Sequence, residues 1–357
     1  MNKEKQIEVN LLDCTLRDGS YVLDFQFTSE DTTNLCRDLQ GLGFEWIEVG
    51  HGVGLGASES GYGESAQSDE EYMVSANGAL SKSKWGMFCI PGIANIEHLK
   101  LAISHGMDFI RIGIDPQALN LAEPFIKLSK QSGLFTAVNF MKSYTEPPKE
   151  FAKFSREAER MGADLIYIVD SAGGMFPETI KEYVGCIRDL LPEIKLGFHG
   201  HNNLGLSVAN SIASVEAGAS FVDVSLQGLG RGAGNVPSEQ FVCALIKKGI
   251  EVEINPIALM DTAEKHYNLL DSNKGINSLD TISGLADFHS SYMQTIQKYS
   301  LKYKIDPRKL IIAVSEVDKK NAHEEIVDKE AKKLQKQGNS GSWKTLYKHY
   351  FGKEQDD

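Results

Sequence analysis

Two histidines stand two apart in Gly197-Phe198-His199-Gly200-His201-Asn202-Asn203, directly after the apolar run Ile194 to Phe198. If that run is a β-strand continuing through Gly200, residues i and i+2 point to the same side. Two imidazoles then converge on one point, which suits a divalent cation. Taken alone, the pair reads equally well as hydrogen-bonded histidines at a strand end. The metal reading needs a carboxylate from elsewhere, and Asp18, in Asp13-Cys14-Thr15-Leu16-Arg17-Asp18-Gly19-Ser20-Tyr21, offers one. Arg17 beside it would stabilise a developing enolate oxygen, or else form a surface ion pair. Asn235 is a candidate further metal ligand, or a turn residue of the loop 228–235. Glu48 and Ser171 also end apolar runs. Glu48 is placed to hold Arg17, and Ser171 to hydrogen-bond a substrate carboxylate, or either is only structural.

These residues need a scaffold that gathers strand ends. Strands are expected at Ile7–Leu12, Trp46–Val49, Trp85–Cys89, Phe109–Gly113, Leu134–Asn139, Leu165–Val169, Ile194–His199 and Phe221–Ser225. A helical pattern follows each, for example Ser29–Leu42, with serine at its start and Gly43 to stop it. Eight such units argue for a closed (β/α)8 TIM barrel, an α/β fold whose C-terminal strand ends share one face. An open doubly wound sheet would concentrate its polar residues at one switch point; here they end several strands. In a closed barrel, strand eight alone separates strands one and seven, so Asp18 can meet His199 and His201. The glycine-rich loop 50–63 carries His51 and lacks a following Gly-Lys-Ser/Thr, so it is not a phosphate loop; it reads as a lid or a plain long loop.

Beyond Asn255 the alternation stops. Ile257–Leu270, Gly284–Tyr299 and His323–Leu334 read as amphipathic helices, with Leu310–Val314 as one short strand-like run. The expected organisation is a barrel at 1–252, a small, mostly helical C-terminal domain at 253–335 and a polar tail at 336–357.

The composition suits a globular enzyme: 357 residues, 41% hydrophobic, 24% charged. A net charge of −12 disfavours nucleic acid. The polar start lacks a signal-peptide core, and no apolar run reaches the ~18 residues of a membrane helix. Five scattered cysteines without Cys-x-x-Cys spacing suit a reducing cytoplasm.

Five motifs, in order and each at a strand end, carry a resemblance. They are Thr15-Leu16-Arg17-Asp18-Gly19, Ile47-Glu48-Val49-Gly50-His51-Gly52, Asp170-Ser171-Ala172-Gly173-Gly174, His199-Gly200-His201-Asn202-Asn203 and Gly228-Leu229-Gly230-Arg231-Gly232-Ala233-Gly234-Asn235. Together they resemble the metal-dependent TIM-barrel lyases and synthases, the superfamily of 3-hydroxy-3-methylglutaryl-CoA lyase, and above all its 4-hydroxy-2-oxovalerate aldolase (class II pyruvate aldolase) branch. The resemblance implies a divalent metal on Asp18, His199 and His201, and a pyruvate enolate steadied by Arg17; two imidazoles and a carboxylate with open positions fit iron, manganese, magnesium or zinc, and oxygen-rich substrates favour Mn²⁺ or Mg²⁺. The reaction it implies cleaves or forms a 4-hydroxy-2-oxo acid from pyruvate and an aldehyde through a metal-bound enolate. Two departures stand out. The aldolase carries a histidine, its proposed base, where this chain has Tyr21. It carries a tyrosine in the segment where this chain has His289. Tyrosine titrates near ~10 and histidine near ~6.5, so at neutral pH the base would be His289, with Tyr21 orienting the substrate hydroxyl. His51 is a further base or substrate-contact candidate and metal-bound hydroxide a further base, and a changed substrate without any exchange of the pair is the alternative reading. Other readings are a Claisen-type condensation on an acyl-CoA, weakened because residues 228–235 lack the lyase's cysteine, and a barrel turned binding subunit. The aldolase's partner is an acylating aldehyde dehydrogenase; residues 318–326 lack the paired glycines expected of that stretch. A homo-oligomer is compatible with all of this.

Overall fold

The computed structural model describes residues 8–266 and 278–337. Eight parallel strands close into a barrel in sequence order. They are β1 Asn10–Asp13, β2 Trp46–Val49, β3 Lys84–Cys89, β4 Phe109–Ile114, β5 Phe135–Phe140, β6 Leu165–Asp170, β7 Lys195–Gly200 and β8 Phe221–Val224. β8 pairs with both β7 and β1, which puts the ends of β1 and β7 one strand apart. The outer ring is α1 Ser29–Leu42, α2 Asp69–Ala79, α3 Ile96–Ser104, α4 Glu123–Gln131, α5 Pro148–Met161, α6 Pro177–Leu190, α7 Ser207–Ala217 and α8 Ser238–Lys247. The closed barrel is therefore the fold, and the open sheet is set aside.

Local chemistry explains the boundaries. Thr28 caps α1 in a reciprocal box with Asp31, and Gly43 ends it in the left-handed region. Ser68 and Glu71 do the same for the start of α2. The single helix expected near Ala118–Ser132 is a 3-10 turn, Pro116–Leu121, followed by α4; Pro124 in the first turn of α4 favours a fresh helix start.

Inside the barrel, side chains alternate by two and so sort into layers. Leu12, Trp46, Phe109, Leu165, Tyr167 and Phe221 belong to a buried apolar cluster. Two residues further along β2, β4 and β8 come Glu48, Arg111 and Asp223, all buried. The charged layer thus lies between the apolar plug and the C-terminal strand ends.

The C-terminal region is helical: α9 Pro256–Lys265, α10 Ser278–Ala286, α11 Met293–Tyr303, α12 Pro307–Val317 and α13 Glu324–Lys336. Leu259 and Ala263 of α9 pack into the barrel core. A second apolar cluster, including Leu279, Phe288, Ile296, Leu310 and Val327, unites α10 to α13. Two expectations are corrected here. Leu310–Val314 is not a strand but the middle of α12, capped by Asp306 with Pro307 in its first turn; a short apolar run carries no length signal to separate the two states. The helix expected over Gly284–Tyr299 is broken between α10 and α11 at Asp287, in the left-handed region with φ 53°, and His289 caps a 3-10 turn at Ser290–Tyr292. The expected stretches 1–7, 267–270 and the tail beyond Gln337 lie outside the described residues.

Candidate active site

Asp18 opens a 3-10 turn just after β1, His199 lies in β7 and His201 directly follows it. One ligand atom from each lies within 4.8 Å of the others, and all three residues are buried. The two imidazole rings are 5.0 Å apart and nearly perpendicular, at 87°. The position of each ring is fixed from behind. Asp223 Oδ2 lies 2.8 Å from His199 Nδ1, and the Gly234 carbonyl lies 3.3 Å from His201 Nδ1. With the Nδ1 protons held by these partners, Nε2 is the atom of each ring that would ligate; in His201 it meets Arg231 Nη2 at 3.2 Å, a contact that a bound ion would replace.

Asp18 stays ionised. Burial alone would raise its pKa, but Arg17, His201, His199 and Arg231 together hold it below the ordinary carboxylate range. Its Oδ1 accepts from Arg17 Nη1 at 2.6 Å, whereas its Oδ2 is buried with no hydrogen-bond partner. A buried carboxylate oxygen left unpaired beside two imidazoles is the donor set of a divalent-cation site, so the residues fit the metal that the motifs suggested. Asn235 Oδ1 is likewise buried and unpaired, while its Nδ2 donates to the Leu229 carbonyl at 3.1 Å.

Arg17 is aimed by its neighbours: Nε donates to Glu48 Oε2 at 2.7 Å, and the guanidinium lies 4.7 Å from the centre of the Phe88 ring. Glu48 is wholly buried and also accepts from Arg111 Nη1 at 2.6 Å. It therefore reaches the site only through Arg17 and does not line the cavity. Arg111 Nη2 donates in turn to Asp223 Oδ2. One chain of buried charges thus runs from Asp18 through Arg17, Glu48, Arg111 and Asp223 to His199.

The cavity is about 70 Å³ and is lined by Arg17, Asp18, Tyr21, Ser171, His199, His201, Arg231 and His289, with Phe88, Asn139 and Met141 among the others. Ser171 Oγ accepts from the Lys142 backbone N–H at 3.0 Å. The Tyr21 ring packs over Gly52, where a Cβ would come within 2.7 Å of it. The His289 ring carries its neighbours on Nδ1, which accepts from the Ser291 N–H at 3.2 Å and lies 2.7 Å from Ser291 Oγ. Burial, then Arg231, Lys142 and His201, hold its pKa well below the ordinary imidazole value, so the ring is neutral. His51 is not brought to the cavity. Its Nδ1 accepts from Val53 N–H at 3.1 Å, its Nε2 lies 3.2 Å from the Gly63 carbonyl, and its ring stacks on Phe25. Burial lowers its pKa to about 4. The first half of the glycine-rich loop around it is packed, whereas residues 58–61 are exposed. Residues 51–57 are buried, and Leu55 N–H donates to the Phe88 carbonyl at 2.9 Å.

The sequence reading did not single out Arg111, Asp223 or Arg231. The first two had a signal: each is a lone charge inside an apolar strand, Phe109-Ile110-Arg111-Ile112 and Phe221-Val222-Asp223-Val224, and a charge there must be paired.

Residues 8–265 match the HMGL-like family. The chain belongs to that family. Among curated relatives, it is 34% identical over 332 residues to the 4-hydroxy-2-oxovalerate aldolase of Moorella thermoacetica, covering 92% of this chain and 98% of that one. It is 35% identical over 305 residues to the enzyme of the same name from Pelotomaculum thermopropionicum, covering 85% and 90%. Among solved structures, the hydroxymethylglutaryl-CoA lyase of Pseudomonas aeruginosa superposes with a TM-score of 0.64 at 20% identity, over 79% of this chain and 98% of that one; at that identity the likeness is one of fold.

Proposed function

We propose that this HMGL-like chain is a divalent-metal-dependent carbon-carbon lyase that cleaves or forms a 4-hydroxy-2-oxo acid from pyruvate and an aldehyde. The observation that carries the reading is the meeting of Asp18, His199 and His201 beside Arg17 in one small buried cavity. It is supported by relatives named 4-hydroxy-2-oxovalerate aldolase along nearly the whole chain. Asp18, His199 and His201 would hold Mn²⁺ or Mg²⁺, with Asn235 as the further oxygen donor. Such an ion supplies Lewis acidity and a template for oxygen ligands.

The rest falls to the protein. Ser171 hydrogen-bonds the substrate carboxylate. His289, neutral and lining the cavity, takes the proton of the 4-hydroxyl on Nε2, in the tautomer whose Nδ1 proton goes to Ser291 Oγ in place of the contact from Ser291 N–H; Tyr21 orients that hydroxyl. The C3–C4 bond then breaks. Its electron pair moves to the C2 oxygen as an enolate beside Arg17, and the aldehyde leaves. Protonation at C3 gives pyruvate, and the same groups serve condensation in reverse. A cavity of about 70 Å³ suits a small acid; drug-sized ligands fill roughly 300 Å³ or more. We place the protein in the cytoplasm. Its division follows residues 1–252, 253–335 and 336–357, with α9 as the helix that docks the second unit on the barrel. An acylating aldehyde dehydrogenase partner and a homo-oligomer are the finer proposals, read by co-purification and by light scattering.

The direct test is pyruvate in D₂O with Mn²⁺. Deuterium is expected in the methyl group, dependent on the metal and abolished by Asp18→Asn. A fully loaded wild-type protein that exchanges nothing would falsify the reading.

A further inference from the structure

Arg231 has no part in the reaction just described, yet it lines the cavity and is only 8% exposed. It lies in the loop after β8 and spans the two units of the fold. Nη2 lies 3.2 Å from His201 Nε2, and Nη1 donates to Ser290 Oγ in the turn between α10 and α11. Both of these hydrogen-bond partners are uncharged, and the Asp18 carboxylate acts on it only through space, without an ion pair among the described residues. The contrast with the other two guanidiniums of the site is sharp. Arg17 is matched by Glu48 and Asp18, and Arg111 by Glu48 and Asp223. A buried guanidinium that gives one N–H to a hydroxyl and one to an imidazole keeps three of its five donors for an anion, and their planar arrangement matches a carboxylate.

Its position says which anion. Arg17 stands on the β1–β2 side of the cavity, anchored there by Glu48. Arg231 stands on the side of Ser290 and of its neighbour His289, whose proton affinity it depresses. His289 is the residue assigned to the 4-hydroxyl. A group reaching Arg231 therefore comes from the far side of C4, the part of the substrate that the aldehyde contributes. Resting on the aldolase reading, we infer that Arg231 is a specificity-determining residue that recognises an acid group on the acceptor. The acceptor is then an aldehyde bearing a carboxylate, and the product a 4-hydroxy-2-oxo diacid. In that condensation C3 of the enolate bonds to the aldehyde carbon, the carbonyl pair moves to its oxygen, and that oxygen takes a proton; the acid group is read by Arg231 and stays unchanged.

Two measurements test this on the full-length, Mn²⁺-loaded protein. The first is turnover selectivity: the ratio of kcat/KM for glyoxylate against acetaldehyde, with pyruvate as partner. The second needs no turnover: calorimetric binding of 2-oxoglutarate against 2-oxovalerate, which share a 2-oxo acid head and chain length but end in a carboxylate or a methyl group. Each wild-type ratio is expected to favour the acid by about 30-fold or more, the worth of one charge-assisted pair. Both should collapse towards unity in Arg231→Gln and recover in part in Arg231→Lys, which keeps the charge but not the fork. Ratios make the comparison insensitive to any loss of metal through His201. The inference is overturned if the wild type binds and turns over the neutral compounds as well as the acids. It is equally overturned if Arg231→Gln lowers both members of each pair alike, since that is the mark of a group that only positions His201. A wild type that exchanges no deuterium into pyruvate defeats the aldolase reading instead, and the calorimetric pair still decides whether Arg231 reads an acid.

Discussion

At the scale of single residues, the histidine and tyrosine around the cavity are the groups proposed for the chemistry that the motifs leave open. His289 is buried, and Arg231 and Lys142 add to the burial in keeping it neutral. A base must be unprotonated to work, and a depressed pKa keeps it so to lower pH. The sign is definite: activity is lost as pH falls through the pKa of His289, and that pKa lies below the ordinary value of about 6.5. The acidic limb of kcat/KM for cleavage is therefore expected below pH ~6.5 and should vanish in His289→Ala, along with about 10²–10⁴-fold of the rate. Bound Mn²⁺, counted by elemental analysis, should be unchanged, because the ligands belong to other residues. Full activity in His289→Ala would show that Tyr21 does not act beside a histidine base. His51 was a fair candidate by motif but is excluded by its contacts: both of its ring nitrogens are engaged by the loop 53–63.

At the scale of elements, the strands do more than present their ends. The alternation of β2, β4 and β8 stacks Glu48, Arg111 and Asp223 into a buried charge layer directly beneath the proposed ligands. Arg111 is its centre, with its guanidinium 4.5 Å from the centre of the Tyr167 ring. Replacing it by methionine would leave Glu48 with Arg17 alone and Asp223 buried with only His199 beside it, and breaking such a pair costs about 3–5 kcal/mol. Chemical denaturation of Arg111→Met should show a loss of that order, together with weakened Mn²⁺ binding as Asp223 releases His199; stability within ~0.5 kcal/mol of wild type would refute the bracket. This layer also marks what was legible in the sequence. The eight strands, most helix limits and the trio Asp18, His199 and His201 could be read because periodicity, caps and His-x-His spacing are local signals. The pairing of Arg111 with Asp223 spans 112 residues, and no local pattern names a partner that distant. The break at Asp287 escaped because its left-handed turn, closed by Phe288 N–H onto the Ser283 carbonyl at 2.9 Å, uses an aspartate in place of the glycine that would have announced it.

At the scale of the whole molecule, the proposed site is not complete within the barrel. It supplies the three proposed ligands and Arg17, whereas His289 and Ser290 arrive from the helical unit. The seam between the units is held by polar ties: Asn203 Nδ2 donates to the Asp280 carbonyl at 3.1 Å, and Lys320 Nζ to Glu146 Oε1 at 2.6 Å. It is also held by bare backbone contact at Gly174, where a Cβ would lie 2.5 Å from the Gly284 carbonyl and 2.8 Å from Asp287 Oδ1. No real Cβ tolerates such a distance; the Asp287 side chain can rotate away, but the Gly284 carbonyl is backbone and cannot yield without moving α10 and the turn that carries His289. Gly174→Ala is therefore a wedge driven between the units from a position that touches none of the proposed ligands. Its expected signature is a split. Bound Mn²⁺ and the far-ultraviolet circular dichroism stay near wild type, while kcat/KM for cleavage falls about tenfold or more, as displacements near 1 Å do elsewhere. Deuterium exchange into pyruvate, which needs the barrel groups more than His289, should fall less than cleavage. An equal fall in both would mean that the helical unit shapes the metal end of the cavity as well as the acceptor end.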